Sequence, residues 1–274
     1  MTDTFPPLPN FDHPPVTEVV MSLQLEGLNL QIQHYGGLWG LFKDRFPKVE
    51  TKPPLDPVVE DLRQAPSRGV RIELVEMPVL PRAWFVAASG AELIQVQSDR
   101  FIHNWRKTGG GEPYPRYKRI REQFAAELAE FTEFARQAGI GEARAVQCEV
   151  TYINHIQLAP LGLTHADAPR IFRVMGSHDV PFLGKPESEQ FASRYLLTNP
   201  EGGEPFARLH VDVTPALHAA TREPVFVMNL TARGAPSSPD IAKALDFYDA
   251  ARRHIVCGFV ALTTPEMHTA WGKR

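Results

Sequence analysis

Hydrophobic and polar residues alternate over several short stretches of the chain, and this alternation predicts strands. The odd-numbered residues from 19 to 25 are apolar, while the residues between them are mostly polar. Residues 207–213 and 226–233 alternate in the same way. A period of two over such lengths is typical of a half-buried strand, so each stretch is predicted to place one face against a core.

A spacing of three and four residues predicts two long helices. The expected buried positions of the first are Ile120, Phe124, Leu128, Phe131 and Phe134. Those of the second are Ile241, Leu245, Tyr248, Ile255 and Phe259, after a start signal at Ser238. Thr264, followed by proline and glutamate, predicts a short last helix. Residues 30–46 have helix-like spacing that is interrupted by glycines 36 and 37.

The order of elements in the first half is strand, helix, two strands, helix, strand, with residues 47–69 as an irregular crossing. This order predicts a ferredoxin-like (βαββαβ) unit over residues 1–158, after a proline-rich lead-in. Residues 159–274 are expected to form a three-stranded antiparallel sheet with a long C-terminal helix. The predicted fold class is therefore α+β, with two antiparallel β-sheet units each backed by helices.

Composition narrows the function classes. The chain has 274 residues, 43% hydrophobic and 22% charged, and a net charge of −3. This charge does not favour nucleic acid as a partner, although a local basic patch is compatible with it. No apolar run approaches the ~20 residues of a membrane helix, so no membrane partner is expected. The proline-rich start is not a signal peptide, and Cys148 and Cys257 are interpreted as reduced core thiols. We therefore expect a cytoplasmic protein.

Motifs that hold metals, cofactors or nucleophiles are not recognisable. The ten histidines show no ligand-like spacing, and the sequence KTGGG has its lysine before the glycines, unlike a phosphate loop. We therefore expect no cofactor and no metal, and predict no catalytic residue.

A basic and aromatic segment spans residues 105–121. Most of its cations fall in the first turns of a predicted helix, where the helix dipole disfavours each by ~0.3–1 kcal/mol. An anionic ligand would explain them, and a solvated face balanced by acids elsewhere is the simpler alternative. The candidate binding residues of this segment are Arg106, Tyr114, Arg116, Tyr117 and Lys118.

A second candidate surface lies on the predicted strands of the second half. Arg208, His210 and Asp212 share one strand face, and Asn229 lies on the matching face of the next strand. Arg194 joins them if the preceding strand pairs alongside. The alternatives are a solvated face, which antiparallel sheets commonly have, and a groove for a ligand or partner.

A third polar pattern contains Gln95, Gln97 and Asp99 on one strand and Glu149 and Thr151 on a later one. If these strands are neighbours, the side chains form a further polar sheet face. That face is expected either to line a wet groove between the two halves or to form a polar interface between them.

Five segments together resemble a known group of proteins. They are PPVTEVVMSLQLEGL, LIQVQSDRFIHNWRK, YPRYKRIREQF, CEVTYINHI and FVALTTPEMHTAWGK. In this order they resemble a sporadically distributed family of bacterial and archaeal proteins of about 260 residues with no established activity. The resemblance implies a stand-alone intracellular protein, and the patchy distribution suits a defence or toxin-neutralising role. It implies no catalytic residues.

The sequence thus predicts a non-enzymatic binding or accessory protein that recognises a partner protein or a small anionic ligand. The alternative is an enzyme acting on a phosphorylated or nucleotide-like substrate, with His210 or Glu149 in proton transfer. An enzyme needs convergent polar groups in one pocket, whereas a binding protein can use a shallow surface.

Overall fold

The computed structural model describes residues 6–64, 80–109, 113–176, 181–198 and 203–274. Within these residues, nine strands form one antiparallel sheet. The strands are β1 (Val16–Leu28), β2 (Lys48–Lys52), β3 (Arg82–Val86), β4 (Glu92–Gln97), β5 (Arg100–Arg106), β6 (Gly141–Gln157), β7 (Phe191–Thr198), β8 (Pro205–Leu217) and β9 (Pro224–Gly234). The helices are α1 (His34–Phe42), α2 (Arg116–Gln137), α3 (Ala168–Ile171), α4 (Ile241–Leu262) and α5 (Pro265–Ala270).

The predicted fold of two sheet units with a ferredoxin-like first half is wrong. The strand order is β2-β3-β4-β5-β1-β6-β9-β8-β7, so the strands of the second half continue the same sheet beyond β6. Two local features caused the error. Residues 92–107, which the predicted order counts as the second of its two middle strands, contain the hairpin β4–β5, with Gln97 opposite Arg100. In addition, the expected irregular crossing contains β2, which pairs with β3.

Helix starts follow capping chemistry. Asp240, and not Ser238 as predicted, caps α4, because its carboxylate accepts the Ala242 N–H at 2.7 Å. Thr264 caps α5, as predicted, by accepting the Met267 N–H. Within α4, the predicted stripe is confirmed at Tyr248, Ile255 and Phe259, which are buried. Ile241 and Leu245 are only half-buried.

The chain divides into two compact units. Unit A contains Val20–Val150 and Arg233–Tyr248, and unit B contains Met1–Val19, Thr151–Ala232 and Asp249–Arg274. Because β1, β6, β9 and α4 each contribute residues to both units, neither unit is one continuous stretch of chain.

The core of unit A is built on Phe101 of β5. Its ring centroid lies 5.1 Å from that of Phe131 and 6.1 Å from that of Phe124, both on the apolar stripe of α2. Helix α1 runs through the two glycines instead of breaking there. A Cβ on Gly37 would lie 2.7 Å from the Phe134 ring, so this glycine lets the aromatic side chain approach the helix backbone.

Cysteine 148 also belongs to this core. Its Sγ lies 3.7 Å from the Ala244 carbonyl oxygen, and burial raises the pKa of the thiol to about 12. A thiol that stays protonated is unreactive, which agrees with its interpretation as a core residue.

The core of unit B lies on the apolar face of β8. Leu209 is buried, and its side chain reaches within 3.5 Å of the position that a Cβ on Gly258 of α4 would take. Phe11 closes the other end of this core, with its ring centroid 5.8 Å from that of Phe259 and 6.2 Å from that of Trp271. The alternation predicted for this half is therefore confirmed on β8.

Candidate functional site

Alternation along β3, β4 and β5 gathers polar side chains on one face of unit A. On β5, Phe101 and His103 point towards α2, so Arg100 and Asn104 point to the opposite face. The pairing of the strands places Trp84 and Gln95 on one face, because residues directly opposite each other on paired strands share a face. We call this side the polar face of unit A.

Three cations surround the ring of Trp84 on the polar face. Lys52 Nζ lies 4.9 Å from the ring centroid, Arg82 Cζ 5.6 Å and Arg106 Cζ 6.0 Å. We call these four residues the tryptophan cluster. Each cation–π contact contributes about 0.5–2 kcal/mol depending on exposure. Lys52 and Arg82 are directly opposite in the β2–β3 register, and like charges in that position repel. Glu50 offsets part of the charge through its 2.8 Å contact with Lys52.

Neutral side chains hold Arg82 in place. Its guanidinium donates to Gln95 Oε1 at 2.9 Å, and Gln95 Nε2 donates to Asn104 Oδ1 at 2.7 Å. Burial and the nearby positive charge of Arg100 lower the pKa of Arg82. Arg82 Nε and Trp84 Nε1 are buried and have no hydrogen-bond acceptor among the described residues. The cluster therefore has buried donors without matching acceptors in this part of the chain.

Arg100, which lies beside the cluster, is also held by neutral acceptors. It is 8% exposed, and its guanidinium donates to Gln24 Oε1 at 3.1 Å and to the Asp56 carbonyl at 3.2 Å. Its Nε is buried and unpaired within the described part of the chain. Among the residues that the structure describes, two neighbouring arginines are thus held by neutral acceptors and not by carboxylates.

An irregular segment, residues 53–64, lies along the polar face, and we call it the strap. Leu55 donates its N–H to Gln97 Oε1 at 2.9 Å and accepts from Gln97 Nε2 at 3.0 Å. Gln147 does the same further along, accepting the Glu60 N–H at 2.6 Å and donating to the Val58 carbonyl. Because the strap is rich in prolines, side-chain amides replace the strand partners that its backbone lacks.

A carboxylate–arginine group anchors the end of the strap. Arg233 pairs with Glu149 and lies 3.6 Å from Glu60. Glu149 therefore has a structural partner in Arg233. Thr151, which was predicted to share a polar face with Glu149, lies in unit B, where its hydroxyl forms a 2.8 Å hydrogen bond with that of Thr231.

The residues predicted in the basic segment are dispersed. Arg106 belongs to the tryptophan cluster, where its Nε also donates to the Gly90 carbonyl at 2.8 Å. Tyr114 packs on Trp105, which points to the opposite face of β5, at 5.2 Å between ring centroids. Tyr117 is buried in the core, and Lys118 is exposed and lies 3.9 Å from Glu122.

Arg116 has an unusual backbone. It is exposed at the first position of α2 with φ of 70°, the left-handed region that non-glycine residues rarely adopt. Its guanidinium lies 5.8 Å from the Tyr114 ring centroid.

The residues predicted in the second half lie in unit B. Asp212 pairs with Arg194 at 3.1 Å, and Arg194 lies opposite His210 in the β7–β8 register. Arg208 is buried, with 4% exposure. Asn229 is half-buried, and its Oδ1 has no donor among the described residues. This group centres on an internal ion pair.

Sequence reasoning missed Lys52, Arg82, Trp84 and Arg100. Arg82 and Trp84 are two apart in RAWFV, so alternation alone places them on one face of a strand. Lys52 required recognition of β2, and Arg100 required recognition of the turn before β5.

Comparison with protein families found no family that matches the chain, and comparison with curated proteins found no match. Among the described residues, no three His, Cys, Asp or Glu side chains gather as metal ligands. No helix in the described ranges combines the length and apolar character needed to cross a membrane.

Proposed function

We propose that this chain is a binding protein that holds a phosphate or carboxylate group at the tryptophan cluster and the adjacent Arg100. The observation that carries the proposal is the pair of neighbouring arginines, Arg82 and Arg100. Each has a buried Nε without an acceptor, and neither contacts a carboxylate within the described residues.

An anion is the ligand that such a site lacks. An unsatisfied buried donor costs about 1–3 kcal/mol, and a charged donor costs more. A phosphate or carboxylate accepts two parallel hydrogen bonds from one guanidinium, so it can satisfy arginine Nε and a terminal nitrogen together. Trp84 Nε1 supplies a further donor. The ligand would also neutralise the repulsion between Lys52, Arg82 and Arg100.

The composition of the site favours binding over catalysis. The tryptophan cluster offers donors and positive charge, and the carboxylate beside it, that of Glu50, is paired with Lys52 at 2.8 Å. The alternative role of Glu149 in proton transfer gains no support, because Glu149 is paired with Arg233.

The test follows the indole N–H of Trp84 by NMR during titration with sodium phosphate, with sodium chloride at equal ionic strength as the reference. We expect a saturable shift of the Trp84 signal that chloride does not produce. Arg82→Met should weaken phosphate binding at least tenfold. The control Arg144→Gln removes an exposed arginine paired with Glu26 at 3.1 Å and should leave the binding unchanged.

Phosphate and acetate both have the required acceptor geometry. A parallel titration with sodium acetate therefore shows which of the two anions the site prefers. A Trp84 signal that responds to neither anion would contradict the proposal. Equal loss of affinity in both arginine variants would also contradict it, because a general charge effect would then explain the shift.

A further inference from the structure

A cavity of about 510 Å³ lies against α2, on the side of unit A opposite the polar face. Its lining includes Arg45, Glu92, Gln123 and Glu127. This volume is within the range of sites that hold small molecules. None of its lining residues belongs to the tryptophan cluster, so the cavity is independent of the proposed anion site.

A buried carboxylate lies in the cavity wall. Glu127 is 2% exposed, and its Oε2 lies 2.7 Å from Nδ1 of His103 on β5, which is completely buried. Nε2 of His103 has no hydrogen-bond partner among the described residues. An imidazolium would leave an unpaired N–H there, whereas the neutral ring that donates from Nδ1 leaves only a lone pair. The hydrogen-bond pattern therefore favours a neutral His103 and a negatively charged Glu127.

A second unpaired acceptor lies beside this carboxylate. Gln123 Nε2 donates to Glu92 Oε2 at 3.0 Å. Because a carboxylate only accepts, this contact fixes the amide orientation and leaves Gln123 Oε1 as an acceptor. That oxygen is buried and has no donor within the described ranges.

The other charges around the cavity have partners. Arg119 lies 3.5 Å from Glu92, Arg45 pairs with Glu130, and Lys118 lies 3.9 Å from Glu122. Gln123 Oε1 and the Glu127 carboxylate therefore remain as acceptors that the described neighbours do not use. A carboxylate and an amide oxygen suit a cationic donor, such as an ammonium or guanidinium group.

We infer that this cavity binds a small molecule through a protonated amine or guanidinium group. Glu127 is its counter-ion, and Gln123 Oε1 accepts a second hydrogen bond. His103 is a positioning residue, since it holds the Glu127 carboxylate without touching the ligand.

The experiment is an NMR titration of the full chain with butylammonium chloride, with 1-butanol as the neutral molecule of equal size. We expect saturable shifts at the backbone amides around residues 123 and 127 with butylammonium only. Glu127→Gln should weaken binding at least tenfold. The control Glu133→Gln changes an exposed carboxylate on the same helix that pairs with Arg136, and it should have no effect.

Because Glu127→Gln alters a buried pair, Gln123→Met supplies a second variant that leaves His103 and Glu127 intact. It should weaken butylammonium binding about threefold to tenfold with a normally folded spectrum. Equal shifts with 1-butanol, shifts that map outside the cavity, or unchanged affinity in Gln123→Met would each overturn the inference.

Discussion

The two faces of β5 show opposite imbalances of hydrogen bonding. On the polar face, Arg100 leaves a buried donor without an acceptor in the described part of the chain, and Arg82 on β3 does the same. Towards α2, His103 and the nearby Gln123 leave buried acceptors for which the described residues offer no donor. Arg100 and His103 are three residues apart on one strand, and an odd separation places side chains on opposite faces. Alternation alone therefore puts the unpaired donors on one face and the unpaired acceptors on the other.

This contrast shows that ligand preference depends on local pairing more than on total charge. The net charge of −3 does not favour an anionic ligand, yet the tryptophan cluster collects three cations around one indole. Towards α2, arginines line the cavity, but carboxylates already pair with them. What each face can bind is set by the groups that remain unpaired.

The largest effect should come from breaking the buried pair on the α2 side. His103→Leu removes the hydrogen bond to the buried Glu127 carboxylate, which should lower the free energy of unfolding by about 1.5–3 kcal/mol. Urea denaturation followed by circular dichroism measures this change. The double variant His103→Leu/Glu127→Leu should recover most of the loss, because no buried charge remains. A nearly neutral single variant would show that the pair does not carry a buried charge.

A pH effect of intermediate size tests whether buried histidines elsewhere are also neutral. Burial lowers the pKa of His268 in unit B, and Lys273 and Arg173 add to this effect. The unfolded chain, with an ordinary histidine pKa of about 6.5, then binds the proton more readily than the folded chain. Stability from this residue is complete above pH ~6.5 and declines as the pH falls below it.

His268→Gln should therefore flatten the dependence of unfolding free energy on pH between 7 and 5. The largest change expected for one histidine is about 1.4 kcal/mol per pH unit. Denaturant titrations at several pH values measure it, with the exposed His13 changed to Gln as the control. An unchanged slope in His268→Gln would mean that other groups govern the acid sensitivity.

The smallest effect is expected on the polar face. Arg82→Met removes one hydrogen bond and one cation–π contact, but it also removes repulsion from Lys52 and Arg100. These terms oppose each other, so the free energy of unfolding should change by less than about 1 kcal/mol. A loss as large as that of His103→Leu would show that Arg82 is a structural residue, and the contrast between the two faces would disappear.

Local patterns were sufficient for the elements with strong periodicity. The stripe on α2 and the alternation on β8 follow from side-chain period alone. Ile120, Phe124, Leu128 and Phe131 are buried as predicted, whereas Phe134 is half-buried, and the alternation on β8 is present. The β4–β5 hairpin was missed because its turn at Ser98 and Asp99 contains no glycine or proline. Strand β2 was missed because four of its five residues are exposed and prolines follow directly.

The candidate sites depend on register, which no single segment contains. Lys52, Trp84 and Arg106 come from three strands, and only the pairing of β2 to β5 brings them together. Of the predicted binding residues, Arg106 alone belongs to the tryptophan cluster. Likewise, His103 and Glu127 meet because β5 packs against α2, a tertiary contact that the spacing of either residue in the sequence does not reveal.

The strap has a consequence for how the sequence of this protein can vary during evolution. Gln97 and Gln147 hold it through the main-chain amides and carbonyls of Leu55, Val58 and Glu60. All residues except proline carry both main-chain groups, so selection can replace the side chains at positions 55 and 58 with other non-proline side chains without losing these contacts. The two glutamines lack this freedom, because only a side-chain amide of that length supplies donor and acceptor together. Homologues should therefore diverge within the strap while retaining the glutamines beneath it.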